Sequence, residues 1–374
     1  MRILHLTTFL QGGAGLALTS LAASQAGHGH DVTVMTSRTG VPGYDNYPAW
    51  LEALIDARVR VAQVDSLFDR RPDAHAPVER YLDVELGGAG AFDILHAHAA
   101  VPGALARAAV SRSGRRVPVL QTMHGWGVTK SASQSAHDVR VMNEVDRLVV
   151  PARTSATLLQ SLGVAAHHMA VVPYGVAPAP PAAPADTHLQ RMRGWRQHGD
   201  LVACCIGTVC ERKNQVLLVE ALARVAPDRR VHAVFVGDGP VDVLQERACA
   251  LGVDDRVHTL GYQPDARRYL AESHLLVLPS RSEGQPLAVL EAFCDGVPVL
   301  ASRLPELVEL VEEGRTGWLF EPDDAGALAA ALSRAAESPD SLLALADAAR
   351  AIYRSRFTVE HMVAGYMHEY ARAS

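Results

Sequence analysis

Short apolar runs alternate with Ala- and Leu-rich stretches of helical period along most of the chain. In the first half, runs rich in Val, Ile and Leu fall at residues 2–7, 31–36, 59–64, 94–97, 117–122, 147–150 and 170–172. In the second half they fall at 202–207, 232–236, 257–260, 275–278, 297–301 and 317–319. Strands that are apolar almost throughout are buried on both faces, as in parallel sheets covered by helices. The spacing predicts an α/β protein of two doubly wound domains. Between them, residues 172–184 carry five prolines, too many for a helix and awkward for a central strand. The expected division is 1–176 for the first domain, 177–200 for an extended linker and 201–356 for the second. Residues 325–352 read as amphipathic helix, and 358–374 as a further helix opened by a Thr-x-x-His cap.

The length of 374 residues suits two cores. With 35 Lys and Arg against 41 Asp and Glu, the net charge of −6 argues against a globally cationic nucleic-acid binder, so no nucleic-acid partner is expected. No apolar run approaches the roughly 18 residues of a membrane span. The opening MRILHLTTFLQGGAG reads as a first strand running into glycines, not as a signal peptide. The five cysteines form no CxxC pair and read as small buried hydrophobes, which fits a reducing cytoplasm. The 17 histidines are scattered without metal-ligand spacing, and no metal is expected.

Ligands of open α/β sheets bind beyond the carboxyl ends of strands, so the residues there carry the functional reading. Gln11-Gly-Gly-Ala-Gly15 follows the first strand. Its glycines could let backbone approach an anion, or could simply make a tight turn. The dinucleotide spacing fails, because Leu18 stands where a third glycine belongs. His96 and His98 close the fourth strand and His124 the fifth, delivering imidazoles to one edge, with Gly125 leaving room for a ligand. Arg212 and Lys213, after Gly207, suit a diphosphate, although a solvated helix start would look the same. Between Glu283 and Glu291, Gly284, Gln285, Pro286 and Leu287 form a turn launching a helix, whose positive end faces the same edge. The two carboxylates stand eight residues apart, ~12 Å of helical rise, too far for a close catalytic pair but suited to two sets of sugar hydroxyls. A capping Glu and a surface Glu are the plainer alternative. Arg107, Arg112, Arg115 and Arg116 have no acid among them; they read as a solvated face, or as a peripheral contact with anionic lipid or a phosphorylated acceptor at the inner face of a membrane.

Taken together, VVPYGV (171–176), IGTVCERKNQ (206–215), FVGDGP (235–240), LGYQPD (260–265), LPSRSEGQPLAVLEAFCDGVPVLAS (278–302) and GRTGWLFEPDD (314–324) resemble the retaining GT-B glycosyltransferases of family four. The resemblance spans almost the whole chain and is closer in the second domain. It implies two Rossmann-like domains facing across a deep cleft, with the C-terminal helix 357–374 packing back on the first. It also implies a nucleotide-sugar donor, UDP-sugar by default, held mainly by the second domain, and an acceptor hydroxyl held by the first. Carried over by position, Gly13 approaches the diphosphate, and Lys213 with Arg212 neutralises it. Glu283 binds the transferred sugar and Glu291 the ribose, while Tyr262 flanks the base. Gly284, Gln285, Pro286 and Leu287 line the donor, and His124 bonds the sugar near the reacting carbon. His124, Glu283 and Lys213 are the expected catalytic groups, with Gly12, His98 and Trp126 on the acceptor side. The family needs no metal, and no Asp-x-Asp is present.

Three positions depart from the family's pattern. Thr208 stands where many members carry Arg, Tyr174-Gly175 replaces Asn-Gly, and Arg303-Leu304 replaces Gly-Gly before Pro305-Glu306. The expected chemistry is retention, by front-face attack with the leaving phosphate as base. Alternatives are a sugar-nucleotide epimerase or hydrolase on the same fold, or a non-catalytic sugar-nucleotide-binding subunit.

Overall fold

The computed structural model describes residues 1–38, 44–88, 91–127, 130–179 and 186–374. Two compact units divide the chain: unit one is Met1–Gly175 with Phe357–Ser374, and unit two is Val176–Arg356.

Unit one has strands β1 (Arg2–Leu6), β2 (Asp31–Ser37), β3 (Arg60–Val64), β4 (Ile94–Ala97), β5 (Val119–Thr122), β6 (Arg147–Val150) and β7 (Met169–Val171). Its helices are α1 (Gly12–Gly27), α2 (Pro48–Asp56), α3 (Ala76–Gly87), α4 (Ala100–Ser113), α5 (Ala132–Glu144) and α6 (Arg153–Ser161). Unit two has helices α7 (Thr187–Gln197), α8 (Val216–Leu222), α9 (Asp242–Leu251), α10 (Arg267–Ala271), α11 (Leu287–Asp295), α12 (Pro305–Val308), α13 (Ala325–Glu337) and α14 (Pro339–Arg356). Its strands are β8 (Leu201–Ile206), β9 (Val231–Val236), β10 (Val257–Thr259), β11 (Leu275–Leu278), β12 (Val299–Ser302) and β13 (Gly317–Phe320). The chain returns to unit one with α15 (Val359–Ala373), where the Thr358 hydroxyl caps the helix by accepting the His361 N–H.

Every apolar run read from the sequence falls on one of these strands. The sheets run β3-β2-β1-β4-β5-β6-β7 and β10-β9-β8-β11-β12-β13, parallel throughout. Strand order therefore reverses between β1 and β4 in unit one, and between β8 and β11 in unit two. Such a switch point opens a crevice at the carboxyl ends of the strands. Strand centres are fully buried: Leu4, Leu95 and Val119 in unit one, Ala203, Val277 and Leu300 in unit two.

Several local readings change. The stretch expected as linker, 177–200, contains α7, capped by Asp186 accepting the His188 and Leu189 N–H groups. Residues 180–185 of its proline run lie outside the described residues. Helix α1 begins at Gly12, so Gly12, Gly13 and Gly15 belong to its first turn. Gly15 serves packing, since a Cβ there would lie 2.5 Å from the Trp50 ring and 2.7 Å from the Leu10 backbone. Cys204 and Cys205 are buried as expected, but Cys210 and Cys294 are half-buried and Cys249 is exposed. No helix among the described residues is long and apolar enough to cross a membrane.

Candidate active site

In unit two, the candidate residues gather at the switch point. Gly207 follows β8, and its loop is packed backbone to backbone against the turn after β9. A Cβ at Gly237 would lie 2.2 Å from the Gly207 carbonyl oxygen, and the Val209 N–H donates to the Asp238 carbonyl at 2.7 Å. Gln215, buried and given no role by the sequence reading, fastens the same loop by donating to the Thr208 carbonyl at 3.0 Å and the Gly207 carbonyl at 3.3 Å. Its only sequence signal was its place inside IGTVCERKNQ.

This loop delivers the cations. Lys213 Nζ lies 2.7 Å from Glu283 Oε1, and the Ser280 hydroxyl donates to the same oxygen at 2.6 Å. Arg212 reaches Glu283 Oε2 at 3.4 Å and donates to the Ser282 carbonyl at 2.8 Å. The Glu283 side chain is only 4% exposed and is partnered by these three donors. Two cations, a carboxylate and the uncapped start of α11, with Pro286 at its N-cap, thus lie together beyond β8 and β11. Gly284, Gln285 and Leu287 belong to that turn and helix start.

Glu291 lies one turn further along α11 and is buried. Burial pushes its carboxyl up to about 7, against the pull of Arg267, and Asp295 and Asp265 push the same way. Among the described residues no hydrogen-bond donor reaches this carboxylate. Tyr262 is exposed beside Gly261, whose carbonyl accepts the Gly237 N–H at 2.9 Å.

In unit one the corresponding edge is built from neutral groups. Gly12 and Gly13 are exposed at the start of α1, and the Gln11 side chain leaves that end uncapped; its Oε1 accepts the Asp45 N–H instead. His98 Nδ1 is 3.0 Å from His124 Nε2, and His124 Nδ1 is 2.6 Å from the Tyr174 hydroxyl. Both ring nitrogens of His124 are therefore engaged within the unit, which the sequence reading did not foresee. Tyr174, one of the departures from the family pattern, supplies the second partner. Burial holds the His124 imidazole down to about 4 and His98 well below its ordinary value.

The sequence reading also missed His5, on β1, whose Nδ1 is 3.0 Å from His98 Nε2 and whose Nε2 is 2.8 Å from Gln25 Oε1. Register pairs His5 with His96 across the switch point, and His5, His96 and His98 bring nitrogens within 4.8 Å of one another. A cation could bridge that spacing, but both nitrogens of each ring already have protein partners.

Trp126 is half-buried under Lys130 Nζ, 3.7 Å from the ring centre, and Lys130 in turn pairs with Asp138 at 2.8 Å. The arginine cluster is less bare than its sequence. Arg112 pairs with Glu79 and Asp83 of α3 at 3.3 and 3.0 Å, and Arg107 lies 3.9 Å from Asp146. Only Arg115 and Arg116 lack a carboxylate partner among the described residues, which leaves little charge for an anionic surface.

Residues 11–179 match the family described as Glycosyltransferase Family 4, and residues 200–338 match Glycosyl transferases group 1. D-inositol 3-phosphate glycosyltransferase of Gordonia bronchialis is 30% identical over 311 residues, covering 76% of this chain and 67% of that protein. The chain belongs to glycosyltransferase family four. This glycosyltransferase is also 26% identical to N-acetyl-alpha-D-glucosaminyl L-malate synthase of Bacillus anthracis, over 95% of this chain and 92% of that one. Its fold matches Anabaena HepE in complex with UDP at TM-score 0.82 and 21% identity, over 99% of this chain and 100% of that one. HepE in complex with UDP-glucose matches at TM-score 0.81 and 22% identity, over 99% of both chains. Both units thus have the Rossmann-like architecture of GT-B glycosyltransferases.

Proposed function

We propose that this glycosyltransferase moves a hexose from a UDP-sugar to an acceptor hydroxyl with retention of anomeric configuration. The observation that carries the reading is the Lys213–Glu283–Ser280 cluster at the switch point of unit two, beside the start of α11. An ammonium and a guanidinium next to uncapped helix N–H groups form a diphosphate site. UDP is the nucleotide of choice because relatives of the same fold are named in complex with it.

In this reading Lys213 leaves Glu283 for the diphosphate, with Arg212 as the second cation in place of the arginine that Thr208 lacks. Glu283 then accepts hydroxyls of the transferred sugar, and Glu291 those of the ribose. Gly284 to Leu287 line the donor, Tyr262 flanks the base, and Gly13 offers backbone N–H to the phosphates. His124 places a fixed imidazole beside the sugar, with Gly12, His98 and Trp126 toward the acceptor.

The anomeric carbon–phosphate oxygen bond breaks while the acceptor oxygen bonds to that carbon on the same face, and the acceptor proton passes to the departing phosphate. Lys213 and the α11 start stabilise the charge on the leaving diphosphate. With Glu283 assigned to the hydroxyls of the transferred sugar, no carboxylate is assigned to attack the anomeric carbon, and a covalent glycosyl–carboxylate intermediate is disfavoured. An epimerase is also disfavoured, because it needs a free base at the sugar and both His124 nitrogens are engaged. The test is product stereochemistry: incubation with UDP-hexoses and a panel of hydroxyl acceptors, the new linkage read by proton coupling constants. An inverted product overturns the mechanism, and failure of every donor to be consumed overturns the activity.

A further inference from the structure

The hydrogen bonds of unit one, taken with the chemistry of their ends, have a direction. Gln25 Nε2 lies 3.3 Å from the Tyr370 hydroxyl and 3.9 Å from the Met367 sulfur, both on α15, while Oε1 faces His5 Nε2 at 2.8 Å. A thioether can only accept, so the amide NH2 belongs on the α15 side and the amide oxygen on the His5 side. His5 must then carry its proton on Nε2. Two ring nitrogens 3.0 Å apart need one proton between them, not two, so the neutral His5 accepts at Nδ1 from His98 Nε2–H. The same rule makes His98 Nδ1 the acceptor of His124 Nε2–H, and His124 Nδ1 the acceptor of the Tyr174 O–H.

The far end continues in the same sense. Tyr370 accepts from Gln25 and donates to His96 Nδ1 at 2.7 Å; His96 Nε2–H donates to the Thr122 hydroxyl at 2.8 Å, which reaches the Tyr366 hydroxyl at 3.1 Å. His5, Gln25, His96, Thr122 and Tyr370 are all fully buried, so no water competes for these bonds.

We propose that Gln25, His5 and His98 are positioning residues that, anchored by Met367 and Tyr370 of α15, hold His124 with its proton on Nε2 and its Nδ1 as an acceptor. Reversing the Gln25 amide would reverse every proton up to Tyr174, and would turn His124 Nδ1 from an acceptor into a donor. The C-terminal helix thereby fixes the tautomer and orientation of His124, through a chain that no single sequence motif contains. The consequence for transfer rests on the reading of His124 given under Proposed function.

The test uses full-length protein labelled with 15N-histidine, with tautomers read from two-bond proton–nitrogen correlations near pH 7. The expected wild-type spectrum has His5, His98 and His124 neutral and protonated on Nε2. Gln25→Leu should mix the two tautomers at these rings. Gln25→Glu, whose carboxylate still accepts from His5, should restore Nε2–H. Tyr370→Phe, isosteric and checked for folding by circular dichroism, should also mix them. Turnover of UDP-glucose, read as released UDP, should fall on the order of tenfold in Gln25→Leu and recover in Gln25→Glu, with UDP affinity unchanged. A wild-type His124 protonated on Nδ1, or Gln25→Leu and Tyr370→Phe spectra identical to wild type, would overturn the chain. Tautomers that shift as expected without any change in turnover would uphold the chain and remove His124 from the transfer reaction.

Discussion

The two units share one strand order yet furnish the same place, the carboxyl end of the sheet at its switch point, in opposite ways. Unit two fills it with charge: Arg212 and Lys213 both reach Glu283, and Glu291 is buried on α11. Unit one fills it with neutral groups, each donating to the next, from Tyr174 through three imidazoles to Gln25. A charged cluster that is part-buried by its own ion pairs can exchange one anion for another, Glu283 for a diphosphate. A neutral chain with every nitrogen engaged can only be oriented or broken. The fold supplies the crevice, and the polar residues decide whether it grips a ligand by charge or presents a fixed face to it.

Acid should break the comparison most strongly. The unit-one histidines take up protons near pH 6.5 when unfolded, but His5 and His124 only near 4 when folded, and His96 and His98 well below their ordinary value. Their contribution is therefore complete above about pH 6.5 and is lost as pH falls toward 4. For His5 alone this is worth ~3 kcal/mol at the acid end. Unit two also holds His232, His258 and His274 below their ordinary range, but Glu291 is raised to about 7 and gains stability over the same interval, and Asp295 is raised as well. Hydrogen exchange at pH 7 and pH 5 should thus show β1, β4 and β5 losing more protection than β8 and β11. Equal losses would contradict the assignment.

A smaller effect sharpens the charged side. With the Glu291 carboxyl near 7 in the free protein, a ribose that donates to it binds the ionised form. UDP-glucose affinity should rise with pH up to about 7, by at most about tenfold per unit, and level off above it. Glu291→Gln should abolish that dependence and weaken binding by about tenfold at pH 8. A wild-type profile that is flat from pH 6 to 8 would place the ribose elsewhere. Smaller still, Arg212 is half-exposed, and Arg212→Ala should weaken UDP-glucose only about two- to fourfold by calorimetry. A loss as large as that of Lys213 would make it an equal partner.

The same contrast explains what could be read from the chain. Strands are local and apolar, so their runs were legible, and so were the residues just beyond them. The charged site is also nearly local, since Arg212 and Lys213 are adjacent and Glu283 to Leu287 form one turn. The neutral chain was not legible, because positions 5, 25, 98, 124, 174 and 370 meet only through parallel register and the return of α15. His98 and His124 were visible as strand-end residues, but not that they bond each other. Local reading also could not show that Gly15 packs against Trp50, far along the chain, or that Arg112 of the arginine cluster meets Glu79 and Asp83 of α3. Helix α7 was hidden by the prolines just before it, although Asp186 was a readable cap.

The most direct measurement is a calorimetric titration of UDP and UDP-glucose into the wild-type protein and into Lys213→Ala. Loss of the ammonium at the diphosphate should weaken both ligands by about 30- to 100-fold, roughly 2–3 kcal/mol, with the protein still folded. Unchanged affinity in Lys213→Ala, or no binding of either ligand to the wild type, would contradict the assignment of the donor diphosphate to the Lys213–Glu283 cluster.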